Sequence, residues 1–123
     1  MHELSIATAV VEAVEDAVRA HGADGVESVR LRVGELAGVV PDALRFAFGI
    51  ASEGTAVAGA ALTVEEVAAT ARCASCREGF AVGCPPDLTC PECGADAAEL
   101  LTGRELELAG ALLMNAPHEG REA

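Results

Sequence analysis

Cys73-Ala-Ser-Cys76 and, with thirteen residues between, Cys90-Pro-Glu-Cys93 are the stretch that decides how this chain is organised. A Cys-x-x-Cys turn aims two thiolates at one cation, and two such turns complete the four-sulfur tetrahedral shell that zinc prefers. The interval is slightly shorter than usual for this pattern but leaves room for a short hairpin, expected from Gly79 to Val82 before the chain returns to Cys90. Gly94 follows the second pair at a position suited to positive φ, and Gly79 is expected to do similar work after the first. The fifth cysteine, Cys84, precedes Pro85-Pro86 and reads as a spare loop thiol or an alternative ligand.

Other chemistries use the same residues. A thioredoxin-like redox pair wants one motif at a strand end within a βαβ unit, whereas here two lie in a loop-rich segment. An iron–sulfur cluster also takes four thiolates and stays open beside zinc. A nucleic-acid-binding ribbon is disfavoured. Between residues 73 and 103, Arg77 stands against Glu78, Asp87, Glu92, Asp96 and Glu99, which leaves −4, with Phe80 as the one aromatic available for stacking.

Outward from the pairs, residues 73–103 hold all five cysteines and three of the five prolines, with little apolar periodicity, so this module draws its order from a metal ion. The flanks are periodic. From Ser5 to Ala20, Ile6, Val10, Val14 and Val18 recur with Ala7, Val11 and Ala17 beside them, which predicts an amphipathic helix ending near His21-Gly22. Val29, Leu31 and Val33 alternate with Arg30 and Arg32 as a half-buried strand closed by Gly34. Pro41-Asp42 opens a second helix to about Ala51, with Leu44, Ala47, Phe48 and Ala51 on one face, and Gly54 to Gly59 is a loop. Leu62 and Val64 begin a strand running toward Arg72, and Leu106 and Leu108 return the chain to the sheet. The fold class is therefore α+β: an α/β domain of residues 1–72 and 104–114, a zinc-ribbon-like module of 73–103, and a disordered tail of 115–123.

Composition bounds the rest. At 123 residues the chain is one small domain with an appendage, too short for separate cofactor and substrate domains. Eight arginines, no lysine and 20 acidic residues give −12, which repels nucleic acid and anionic lipid and favours cations. No apolar run reaches the roughly 18–20 residues of a membrane span. The start, Met1-His2-Glu3-Leu4, carries an acid where a secretory signal carries Lys or Arg, so the expected location is cytoplasmic, with reduced thiols. No nucleophile–base pair, phosphate loop or zinc-protease helix points to an enzyme.

That start is itself a candidate metal site. A retained Met1 supplies a free amine which, with the backbone nitrogen and imidazole of His2, forms adjoining chelate rings. Tetragonal nitrogen donors indicate Ni(II) or Cu(II) over zinc. The His2 side chain does not close the square, leaving a position for the Glu3 nitrogen, a carboxylate such as Asp42, or an incoming protein. His21 reads as a helix C-terminal residue, and His118 falls in the tail.

Met1-His2-Glu3-Leu4-Ser5, Val33-Gly34-Glu35-Leu36, Pro41-Asp42-Ala43-Leu44 with Phe46 and Phe48, the two cysteine pairs with Gly94, and Gly103-Arg104-Glu105-Leu106 together resemble the HypA/HybF family. The similarity runs in register from Met1 to about Leu113. It implies a nickel metallochaperone for nickel–iron hydrogenase maturation, with two helices on a three-stranded sheet and a zinc domain inserted before the last strand. It implies Ni(II) as cargo at His2, and structural zinc on Cys73, Cys76, Cys90 and Cys93. It also implies the GTPase HypB and the hydrogenase large subunit as partners. Cys84 is outside that ligand set, and the oligomeric state stays open, a homodimer included. A second reading is a zinc-stabilised interaction adaptor that transfers no nickel.

Overall fold

The computed structural model describes His2 to Asn115, in the order α1 (His2–His21), β1 (Gly25–Gly34), α2 (Pro41–Ser52), β2 (Ala61–Val67), β3 (Thr70–Cys73), β4 (Gly79–Ala81), β5 (Ala97–Thr102) and β6 (Leu106–Met114). Met1, His118 and the rest of residues 116–123 lie outside the described residues. Asn115, read as the start of the tail, is described: its amide donates to Asp24 Oδ2 at 2.9 Å. The strands form two sheets, β2-β1-β6 and β4-β3-β5. By its contacts the chain divides into two units, one of Met1–Leu31, Val39–Val64 and Leu108–Ala123, the other of Arg32–Gly38 and Glu65–Glu107.

In the first unit, α1 buries Ala7, Val11, Val14 and Val18. That stripe is offset from the expected one, since Ile6 and Val10 are only half-buried. Its end is set by Gly22, whose φ of 64° lets the Gly22 N–H reach Arg19 O at 3.3 Å and the Ala23 N–H reach Val18 O at 3.0 Å. These two bonds are a Schellman cap, which uses up carbonyls the helix would otherwise leave unpaired. Pro41 opens α2, where its missing N–H costs nothing, and Leu44, Ala47 and Phe48 are buried. Full burial of a side chain such as Leu44 contributes roughly 1.5–3 kcal/mol.

Two carboxylates on α1 bracket α2. Glu3 Oε2 accepts from the Val40 N–H at 3.2 Å, and Glu15 Oε2 accepts from the Ala56 N–H at 3.3 Å. About three turns of α1 separate the two acids, and the whole of α2 separates the two amides. The helices therefore lie side by side in the same direction, with their N-terminal ends together.

β1 keeps the expected alternation, with Val29, Leu31 and Val33 buried and Arg30 exposed. At its end, in the second unit, the segment Gly34-Glu35-Leu36 is tied into its surroundings by main-chain bonds: Gly34 N–H to Glu105 O at 2.7 Å, Glu35 N–H to Val67 O at 2.8 Å, and Leu36 N–H to Gly103 O at 2.7 Å. The Glu35 carboxylate accepts from the Ala69 N–H at 2.8 Å.

The single strand expected from Leu62 toward Arg72 is two. β2 ends at Val67, and β3 begins at Thr70 in the other sheet. The break coincides with Ala69, which is fully buried and whose N–H is taken by Glu35. β3 pairs antiparallel with β4 and with β5, and a bridge joins Thr89 to Asp96. The core of this unit is Ala69, Ala71, Cys73, Phe80, Val82 and Cys90, with Leu36 and Leu100 packed against it.

Candidate metal centre

Cys73 is the last residue of β3, buried where the strand turns, and Cys90 is buried just before the second turn; Cys76 and Cys93 lie on the exposed side of each turn. The four sulfurs lie within 4.8 Å of one another, with Cys73 Sγ 3.5 Å from Cys93 Sγ and Cys76 Sγ 3.8 Å from Cys90 Sγ. A tetrahedron of about 2.3 Å zinc–sulfur bonds has edges of about 3.8 Å. The spacing fits one four-coordinate ion. It is far longer than a disulfide, and too tight for thiolates spread around a multi-iron core.

The turns are shaped for thiolates. The Ser75 and Cys76 N–H groups point at Cys73 Sγ, at 3.3 Å and 3.4 Å. The Cys76 N–H bond, assisted by the one from Ser75, outweighs burial and draws the Cys73 thiol down to about 6. At Cys76 the Glu78 N–H pulls downward, but burial and the neighbouring thiols Cys73, Cys90 and Cys93 outweigh it and push the thiol up to about 12. One thiolate is thus ready near neutral pH, and a bound cation displaces the remaining protons. Zinc held by all four sulfurs would have a closed shell and would supply structure rather than a reactive water.

Main-chain geometry closes each turn. Cys73 N–H bonds Glu78 O at 2.9 Å, Cys90 N–H bonds Ala95 O at 2.8 Å, and Gly94 N–H bonds Cys90 O at 2.9 Å. Gly94 has φ 77°, as its position after the second pair predicts. After the first pair the positive φ falls on Arg77, at 67°, and not on Gly79, which opens β4. The signal that finds Arg77 is equivalence: it follows Cys76 as Gly94 follows Cys93. Cys84 is exposed and outside the four-sulfur group.

At the other candidate site, His2 is the first residue of α1, with its side chain 57% exposed. Its Nε2 lies 4.0 Å from Glu3 Oε2. The Val40 N–H bond is the main cause that holds the Glu3 carboxyl below its ordinary value, with the His2 charge a lesser one. Asp42 is almost fully exposed and pairs with Arg45 Nη1 at 3.1 Å. Among the described residues, the four cysteines are the one group of three or more His, Cys, Asp or Glu side chains close enough to share an ion.

A family profile described as hydrogenase/urease nickel incorporation, metallochaperone, matches residues 1–112. A hydrogenase maturation factor HypA from Streptomyces avermitilis is 54% identical over 109 residues, covering 88% of this chain and 83% of that protein. Another from Chloroflexus aurantiacus is 47% identical over 108 residues, covering 88% and 95%. Two solution structures share the fold. One is the Ni metallochaperone HypA from Helicobacter pylori, with a TM-score of 0.62 at 19% identity, covering 91% of this chain and 97% of that one. The other, a HypA protein, has a TM-score of 0.64 at 22% identity, covering 93% and 97%.

Proposed function

Because this chain belongs to the HypA family of nickel-incorporation metallochaperones, and is a maturation factor rather than an enzyme, we propose that it carries Ni(II) on its own N-terminus, through His2 and the nitrogens of Met1 and Glu3. The observation that supports this reading is that α1 begins at His2. The first four N–H groups of a helix have no carbonyl partner within it, so the His2 and Glu3 nitrogens can lose their protons to a metal without breaking the helix ladder. With the exposed imidazole they make the planar nitrogen field that suits Ni(II). Among the described residues, side chains alone do not gather there, so backbone donors carry the site in this reading.

The same position favours release. The positive end of a helix dipole disfavours a cation, so the ion is held by the donors it deprotonates and leaves as those nitrogens regain protons. The Glu3 carboxylate, fixed on the Val40 N–H, keeps the first turn of α1 against the start of α2. Cys73, Cys76, Cys90 and Cys93 hold structural Zn(II) in this reading. The HypB GTPase and the hydrogenase large subunit are its partners, and the cytoplasm is its location. Among the described residues no helix is long and apolar enough to cross a membrane.

The reading is tested by placing one extra residue before Met1, which moves the amine away from the His2 chelate. Ni(II) uptake followed by the visible absorbance of a planar nickel–nitrogen centre should be lost, while one zinc per chain is retained in native mass spectrometry. Undiminished uptake would remove the N-terminal site and leave the adaptor reading.

A further inference from the structure

Phe46 is the one aromatic of this chain that lies on its surface: it is 73% exposed, whereas Phe48 and Phe80 are buried. Ile50, one turn further along α2, is 49% exposed, and Gly49 beside it is open to solvent. Positions 46, 49 and 50 stand at i, i+3 and i+4, so they share one strip of the helix, and the exposed Glu53 follows directly after its last residue.

Glycine inside a helix is unfavourable relative to alanine, because it gives up more chain freedom on folding. Nothing local demands it at position 49. Its backbone is ordinary helix without positive φ, and a Cβ built on it would meet nothing within 4 Å. What the missing side chain leaves is space. Gly49, Ser52 and Glu53 form one wall of a cavity of about 320 Å³, and Gly59, Ala60 and Leu62, where the chain enters β2, form the other.

That cavity suits a cation. It lies at the C-terminal end of α2, the negative end of the helix dipole, and the last turn of α2 carries no basic residue. Among the described residues Glu53 has no ion-pair partner. Ser52 is only 4% exposed; its hydroxyl donates to Gly49 O at 3.3 Å, and no described group donates to the hydroxyl oxygen, which is left able to accept. Arg45, also at the rim, has its charge offset by Asp42 at 3.1 Å.

The geometry points to this face of α2 as a docking site for a basic segment of another protein, one that presents a lysine or arginine about one helical turn from an apolar side chain. The basic head enters the cavity beside Glu53 and Ser52, and the apolar group lies over Gly49 between Phe46 and Ile50. Charge selects this occupant: a chain of −12 repels anionic lipid, acidic proteins and a second copy of itself. A small free cation would leave Phe46 and Ile50 uncovered.

The test is a titration, without nickel, of an acetylated and amidated helical peptide into the isotope-labelled, zinc-loaded full chain, followed by NMR. The peptide carries leucine and lysine on one face and alanine and glutamine elsewhere, and its control has glutamate in place of lysine. Amide shifts should cluster at residues 45–53 and 58–62, and the control should give none. Phe46→Ala should weaken binding about tenfold, as loss of an aromatic anchor does. Glu53→Gln should weaken it at low salt, with the difference shrinking as salt rises. Gly49→Leu separates a binding role from a structural one: the variant should melt at the same or a higher temperature and yet no longer bind. Since no nickel is present, failure here leaves the N-terminal nickel reading untouched. Absent shifts, shifts spread over the whole acidic surface, equal binding of the control, undiminished binding by any of the three variants, or a lower melting temperature for Gly49→Leu would each overturn the proposal.

Discussion

Gly34 and Gly103 leave no room for side chains. A Cβ on Gly34 would lie 2.2 Å from the carbonyl carbon and oxygen of Gly103, and one on Gly103 would lie 2.7 Å from the Ala69 Cβ. Because the obstacle at Gly34 is main chain, it cannot swing aside. Gly34→Ala should therefore cost about 1–3 kcal/mol, the usual range for overpacking, seen as a lower urea midpoint; an unchanged midpoint would contradict this packing. Arg77 gives the opposite sign. It holds a left-handed backbone at φ 67°, so Arg77→Gly should leave stability equal or raise it by up to about 1 kcal/mol, while a clear loss would show that its side chain is needed. Gly94 and the four cysteines were legible as single residues because their chemistry is local, and His2 stands as a candidate on the same ground. Glu35 was visible only as part of a family motif. Its bond to the Ala69 N–H spans 34 positions, and no spacing rule reaches that far.

Among the elements, α1, β1 and α2 could be read from apolar spacing and end signals, since a helix cap such as Gly22 or a proline such as Pro41 acts within a few residues. β5 could not. Ala97–Thr102 reads Ala-Ala-Glu-Leu-Leu-Thr, with Thr102 its one β-branched residue, and is held by its pairing with β3 around the four-sulfur turns. In the proposed reading such an element depends on the metal. A strong chelator at neutral pH should abolish amide-exchange protection in β3, β4 and β5 while α1 and α2 keep theirs; full protection in the metal-free chain would contradict the structural role given to zinc. The Glu3 contact makes a pH-dependent tie between the helices. Its folded value is held below 4.5, chiefly by the Val40 N–H, so the stabilisation is complete above that value and is lost as pH falls through the depressed one. An NMR titration of the Glu3 carboxyl carbon should give a midpoint below 4.5, and a midpoint at or above it would show that the bond to Val40 does not persist in solution.

At the scale of the whole molecule, the proposed function divides the metal chemistry between two candidate sites. The four sulfurs, those of Cys73 and Cys90 in buried residues and those of Cys76 and Cys93 on the exposed side of their turns, would make a closed site, whereas a helix N-terminus with one exposed imidazole would make an open one. In that reading the −12 charge would serve the second, drawing divalent cations toward a chain whose first turn offers them nitrogen donors. The central claim is that His2 is the side chain that holds nickel. It is tested most directly by calorimetric titration of Ni(II) into the zinc-loaded wild type and the His2→Ala variant. One equivalent should bind the wild type and none should bind the variant with measurable affinity; equal stoichiometry and affinity in the two proteins would contradict the account.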